Sequence, residues 1–423
     1  MRIWILALLV PGALSVPARA AAQLARHPYD VTSYDLNIRP DFTTGEISLR
    51  ARVAIARARG TDAFRFGLSP RYRDVSVRAN GHIVDVERAR STVTVPNAAH
   101  DADVVLEFAL AGTLGKSDDE DRDAIDRDSL FLLWSDRFYP IDYADWARVR
   151  TSILLPHAMP VVAPGVEISA TPTSAGTWHI FESRTPAVKF SVVADRRWVS
   201  RTWRLGGLRM TTLLDSEVAA LAPALHRTAS DIVAYFTRLH GYYPADAFTF
   251  VTVRGIFARR ALSGCVAYEP GYLKRTMDAD GYDAHETSLL WWGYALHGEG
   301  PGAFQWTEGF GDYVEVMYTE ARHKPLSVNL RRARERYEAL GAADISIERL
   351  TGNSPQPVIH GRLPWLMDRV RKEIGDARFR AAIRTLFTRF RWRTFTLDEF
   401  VSVFERAAPP ASRQHVRALL QGR

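Results

Sequence analysis

His285-Glu286-Thr287-Ser288-Leu289-Leu290-Trp291-Trp292-Gly293, followed by Trp306-Thr307-Glu308-Gly309-Phe310, is the stretch that decides how this chain is read. A helix reading H-E-x-x-H sets two histidines at i and i+4 on one face, where they bind zinc, and the Glu between them acts as general base. His285 and Glu286 stand here, but Leu289 occupies the second ligand position. Eighteen residues separate Leu289 from Glu308. The stretch has the frame of a zinc site in which a ligand histidine has become a hydrophobe.

Around it the chain is long enough, at 423 residues, for two or three domains. An apolar share of 47% and a charged share of 24% are ordinary for a globular protein. The net charge of +7 is spread along the sequence, and only five of the basic residues are Lys. Nucleic-acid binding, which needs a concentrated basic stripe, is not expected.

Arg2, the apolar run Ile3 to Val16 and the small-x-small site Ala18-Arg19-Ala20 read as an export signal over residues 1–22. No Cys follows that site to carry a lipid, and no later run approaches the length of a membrane span. A periplasmic or extracellular protein without a membrane anchor is expected after cleavage. Cys265 is the single cysteine, which excludes an intrachain disulfide.

Residues 23–214 read as an all-β sandwich. Ile47, Leu49, Ala51, Val53 and Ile55 alternate with Ser48, Arg50, Arg52 and Ala54, the period of a half-buried strand. The turn from Pro40 to Gly45 joins that run to Tyr34–Ile38 as a hairpin. Val75–Val77, Val104–Phe108, Arg148–Leu155 and Val188–Val193 are further short runs. The acidic stretch Ser117–Asp128 lacks the Gly and closing Glu of a calcium loop and reads as a solvated loop.

Near Ser216 the period changes. Leu221, Leu225, Ala229, Ile232, Phe236 and Leu239 mark an amphipathic helix that stops before Gly241 and Pro244. Phe248–Val253 is a short strand. Residues 215–345 hold the motif, with its helix expected from about Asp283 to Leu296, and residues 346–423 are helical. There Phe379, Ala382, Ile383, Leu386, Phe387 and Phe390 share a face, and Thr396 with Glu399 makes a capping box.

H-E-T-S-L-L-W-W-G resembles the H-E-L-A-H-Q-W-W/F-G of the aminopeptidase-N and leukotriene-hydrolase family of zinc metallopeptidases. Trp306–Tyr313 is similar to its W-L-N-E-G-F-A-x-Y, Phe236–Pro244 to its F-G-x-Y-P helix end, and Gly361–Phe379 to its later K-G-x-x-x-L-x-x-L-R-x-x-I-G-D-x-x-F helix. The resemblance covers nearly the whole mature chain. It implies a multidomain α+β fold: N-terminal β-sandwich, thermolysin-like catalytic domain, and a short α-helical C-terminal tail in place of the longer members' helical domain. It also implies that Glu308 is the third zinc ligand and Glu286 the base that deprotonates the zinc-bound water.

Four departures fall on one mechanism. The second ligand is Leu289 and the neighbouring Gln is Leu290. The Gly-x-Met-Glu-Asn segment that holds a substrate's amino terminus falls on Leu262–Pro270, where Glu269 is out of register. The transition-state Tyr falls on Val358. Loss of one such electrostatic donor commonly costs about a hundred- to a thousandfold in rate. His285 and Glu308 are therefore expected as an incomplete zinc site, with zinc weakly bound or absent and Glu286 a vestigial base. The chain reads as a silent member of the family with a peptide or protein in its cleft. The alternative is an active zinc-dependent hydrolase with a non-standard third ligand, for which Cys265 and His360 are candidates. His297 would need a bend near Gly293 to approach the site.

Overall fold

The structure is a computed structural model and describes residues 28–423 except 59, 98–99, 101, 115–122, 257, 280–283, 301, 327, 340–349, 351–353 and 422–423. The expected export signal lies outside the described residues, as does the first half of the acidic stretch, residues 117–122.

The fold is multidomain α+β, with β structure first and helices last. The alternating run forms the strand Glu46–Ala56, every second side chain buried, and pairs antiparallel with Asp30–Pro40 across the expected turn. These two sit at the centre of an eight-stranded sheet that includes Arg148–Leu155, Val104–Thr113 and Tyr72–Ala79. Three-stranded and four-stranded sheets complete this unit, and Phe64, Phe66, Phe108, Tyr139 and Phe190 lie in its core.

Val188–Val193 is not one strand. Lys189 takes the left-handed conformation at φ 53°, unusual for a residue with a Cβ, and pairing begins only at Val192. The strands Trp198–Leu205 and Leu208–Asp215 belong to a second sheet, although both begin ahead of the boundary expected at residue 214. That sheet has five strands, with Leu208–Asp215 running parallel to Ala247–Thr252 and Ala247–Thr252 parallel to Cys265–Tyr268.

The helix Ala222–His240 buries Leu225, Ala229, Ile232, Phe236 and Leu239 and ends at Gly241, whose φ of 95° suits only glycine well. The expected C-terminal face is buried along Asp376–Arg389, and the Thr396–Glu399 capping box opens the helix Leu397–Ala407. No described helix is long and apolar enough to cross a membrane.

Candidate active site

The motif helix is shorter than its pattern implies. His285–Leu289 is α-helical, then Leu290–Ala295 widens into a π-turn in which Trp292 leaves helical geometry (φ −86°, ψ 27°). The chain then runs extended through Leu296–Gly298, pairing parallel with Arg393–Phe395. Burial of two adjacent indoles fixes the turn. Trp291 Nε1 donates to the Tyr242 carbonyl at 2.8 Å, and Trp292 Nε1 to His240 Nε2 at 3.1 Å. Both partners lie in Phe236–Pro244, so these two motif stretches are one packed unit.

The helix Ala303–Ala321 carries Glu308 against this face. Ser288 Oγ bridges the two helices, within 2.7 Å of the His285 carbonyl and 3.2 Å of the Gly311 carbonyl. Gly309 lets the helix approach the 358–363 segment. A Cβ there would stand 2.5 Å from the Ile359 oxygen and 2.6 Å from Leu363 Cβ.

His285 is held between carboxylates. Nε2 faces Glu308 Oε1 at 3.1 Å, and Nδ1 faces Asp312 Oδ1 at 2.6 Å. The second Asp312 oxygen accepts from His360 Nδ1 at 2.7 Å. Burial works against charge on His285, but Asp312, Glu308 and Glu286 hold its pKa well above that of a free imidazole. Burial likewise opposes charge on Asp312, and the two imidazoles outweigh it and pull its pKa down to about 2. Glu315, one turn further on, is pushed up to about 7 by burial. Glu286, the expected base, accepts from Arg259 Nε at 3.2 Å.

These contacts test whether zinc fits. Two ligands on tetrahedral zinc, each at about 2.0–2.1 Å, lie about 3.3 Å apart. His285 and Glu308 have roughly that spacing, and a carboxylate on Nδ1 is how a ligating imidazole is commonly oriented. The third corner is hydrocarbon: Leu289 Cδ2 stands 3.2 Å from where a Cβ on Gly311 would lie. Ligand atoms of His285, Asp312 and Glu315 also gather within 4.8 Å. Asp312 is already engaged by two imidazoles there, and Arg259 acts on Glu315 from nearby. The residues present do not fit a catalytic zinc with three protein ligands.

The replacement candidates separate. Cys265 is 1% exposed in a strand of the second sheet, its thiol pushed up by burial, and it lines neither of the two cavities beside the motif helix. His360 lies beyond Asp312, in a cavity of about 300 Å³ lined also by Arg259, Arg332 and Arg336. His297, carried round by the π-turn, lines the cavity that holds Leu289 and Glu308. Glu269 accepts the Tyr272 N–H at 2.5 Å, closing the start of the Pro270–Ala279 helix. Val358 is 2% exposed in the helical core and brings no hydroxyl.

The front cavity is about 430 Å³. The β-rich unit supplies Trp134, Ser135 and Lys189, and the second unit supplies Arg259, Arg260, Glu286, Leu289, Trp292 and Tyr294 among others. Trp134 Nε1 donates to the Tyr294 hydroxyl at 3.1 Å, and Trp146 Nε1 to the Tyr294 carbonyl at 2.6 Å, which pins one unit over the other. Asp312 and Glu315 escaped the motif reading, although Glu308, Asp312 and Glu315 follow the i, i+4, i+7 rhythm of one helical face. Nothing local marks Lys189 or Arg259.

By sequence, no family model and no curated protein matches the chain. By structure, it is similar to the M1 zinc metallopeptidase of Deinococcus radiodurans, with a TM-score of 0.75 and 17% identity over 93% of this chain and 94% of that one. A point mutant of that protein bound to a Tyr-Ser-Ala substrate matches with the same TM-score at 16% identity, again over 93% and 94% of the two chains. The chain has the fold of the M1 zinc metallopeptidases, the aminopeptidase-type family that its motifs resemble.

Proposed function

We propose that this protein is an exported, catalytically silent member of the peptidase scaffold. Its cleft acts as a binding site for a peptide or protein segment, and zinc is held weakly or not at all. One observation carries this reading: Leu289 stands at the second-ligand position, one turn from His285, and presents hydrocarbon toward Gly311 of the Glu308 helix where a ligand nitrogen would be needed. The carboxylates around this corner already have protein partners, Glu308 and Asp312 on His285 and Asp312 also on His360. Arg259 on Glu286 supports the same reading, because the carboxylate is already engaged in an ion pair inside the protein. Residues 1–22 provide the export signal. Purified mature protein, dialysed against zinc without chelator, is expected to hold well under one equivalent by elemental analysis. It is expected to leave phenylalanine amide intact.

The second reading is an active zinc hydrolase with a non-standard third ligand, and it is favoured only by the presence of His297 in the front cavity. Stoichiometric zinc that disappears in His297→Ala would establish it. So would turnover abolished both by chelator and by Glu286→Gln.

A further inference from the structure

The front cavity, at about 430 Å³, has the size of a small-molecule site. Its acids are already matched, Glu286 with Arg259 and Glu308 with His285. Lys189 is not. Its ammonium stands over the Trp134 ring, 5.4 Å from the centroid, and has no hydrogen bond or ion pair among the described residues. The left-handed turn at φ 53° takes Lys189 out of the strand run and into the cavity lining. That conformation costs energy in a residue other than glycine. Desolvation pulls the pKa of Lys189 down to about 8, against an opposing pull from Glu308, so the ammonium is still mostly charged at neutral pH. Trp134, Leu289, Trp292 and Ala261 give the same cavity apolar surface.

A peptide amino terminus is poorly suited to this setting. It would bring a second ammonium beside Lys189, and the cavity's two carboxylates are already paired. An anion meets the opposite situation: an unmatched cation in a partly dehydrated site, where a charge-assisted hydrogen bond is strong. We propose that the front cavity binds a small amphipathic carboxylate, with its anionic head on Lys189 and its apolar body against Trp134, Leu289 and Trp292. A free organic acid and the carboxyl end of a peptide share this chemistry. The proposal rests on the reading of the cleft as a silent binding site.

Calorimetric titration of the purified full-length mature chain tests it with four probes. Hydrocinnamate represents the free acid, N-acetyl-alanyl-phenylalanine the peptide carboxyl end, hydrocinnamamide the uncharged body, and phenylalanine amide the amino terminus. At least one carboxylate is expected to bind about tenfold or more tightly than hydrocinnamamide and phenylalanine amide. Which carboxylate binds tells the two sources apart. Lys189→Met is expected to remove that preference and Lys189→Arg to keep most of it, so lost charge is separated from lost fold. Melting temperatures of both variants check that they are folded. Equal binding of acid and amide, tighter binding of the amine, or no binding by any probe would overturn the carboxylate assignment and leave the silent reading standing. Hydrolysis of phenylalanine amide, abolished by Glu286→Gln, would overturn the silent reading itself. It would take the carboxylate assignment with it, since a hydrolysed amide must seat its amino group in this cavity.

Discussion

At the scale of single residues, Leu289 and Asp312 decide the character of the site. Leu289 lies half-buried on the motif helix, on the side facing Gly311 of the Glu308 helix. Leu289→His would therefore place an imidazole one turn from His285 and against the helix that supplies Glu308. Zinc is expected to bind this variant and to raise its melting temperature with metal concentration, because binding to the native state alone adds stability. Without zinc the variant is expected to lose about 1–2 kcal/mol, a packed hydrocarbon having become a partly buried polar ring. A melting curve indifferent to zinc would show that the three positions do not converge.

Asp312 is the anchor of the buried charges. Asp312→Asn would leave His285 and His360 without their shared anion and is expected to cost about 3 kcal/mol in urea unfolding. The pH dependence follows from sign. The folded Asp312 pKa, about 2, lies below its ordinary value, so its stabilising effect is present above about pH 4 and fades as pH falls toward 2. His285 is shifted the other way, and its effect is lost as pH rises through its elevated folded pKa. The gap between wild type and Asp312→Asn should be widest between those limits. A gap unchanged from pH 7 to pH 2.5 would contradict the network.

At the scale of elements, the Glu308 helix is placed by close backbone approach. Gly309 meets the Ile359 carbonyl and Leu363, so Gly309→Ala must push the helix away from the 358–363 segment. About 1–3 kcal/mol of destabilisation is expected, along with a displaced Glu308. Unchanged stability would mean that the contact is looser than described. Elements whose pattern matches their environment were legible in advance. Glu46–Ala56 has one wet and one dry face, Ala222–His240 a helical stripe and a glycine stop, and Leu397–Ala407 a capping box. Two elements were not. Val188–Val193 is apolar enough for a strand, yet the backbone at Lys189 turns left-handed. The motif helix breaks into a π-turn because Trp291 and Trp292 must reach acceptors on Tyr242 and His240. In the motif helix long-range partners overrode local preference, and they lie about fifty residues away in sequence.

At the scale of the whole molecule, the cleft is a joint product of two units. Trp134 and Trp146 of the β-rich unit hold Tyr294 of the second, and Ser135 meets Arg260 at 3.3 Å. The sequence by itself determined the α+β architecture, the approach of His285 to Glu308, and the presence of a hydrophobe, Leu289, one turn from His285. Each of these depends on residue type at short spacing, where helix and strand periodicity fix which side chains share a face. Only the tertiary structure decided what the remaining site became. Asp312 took His285 and His360 on its two oxygens, Arg259 took Glu286, and Lys189 arrived from a segment about a hundred residues upstream. Charge balance in a buried site depends on every group within a few ångströms, and chain order does not record which groups those are.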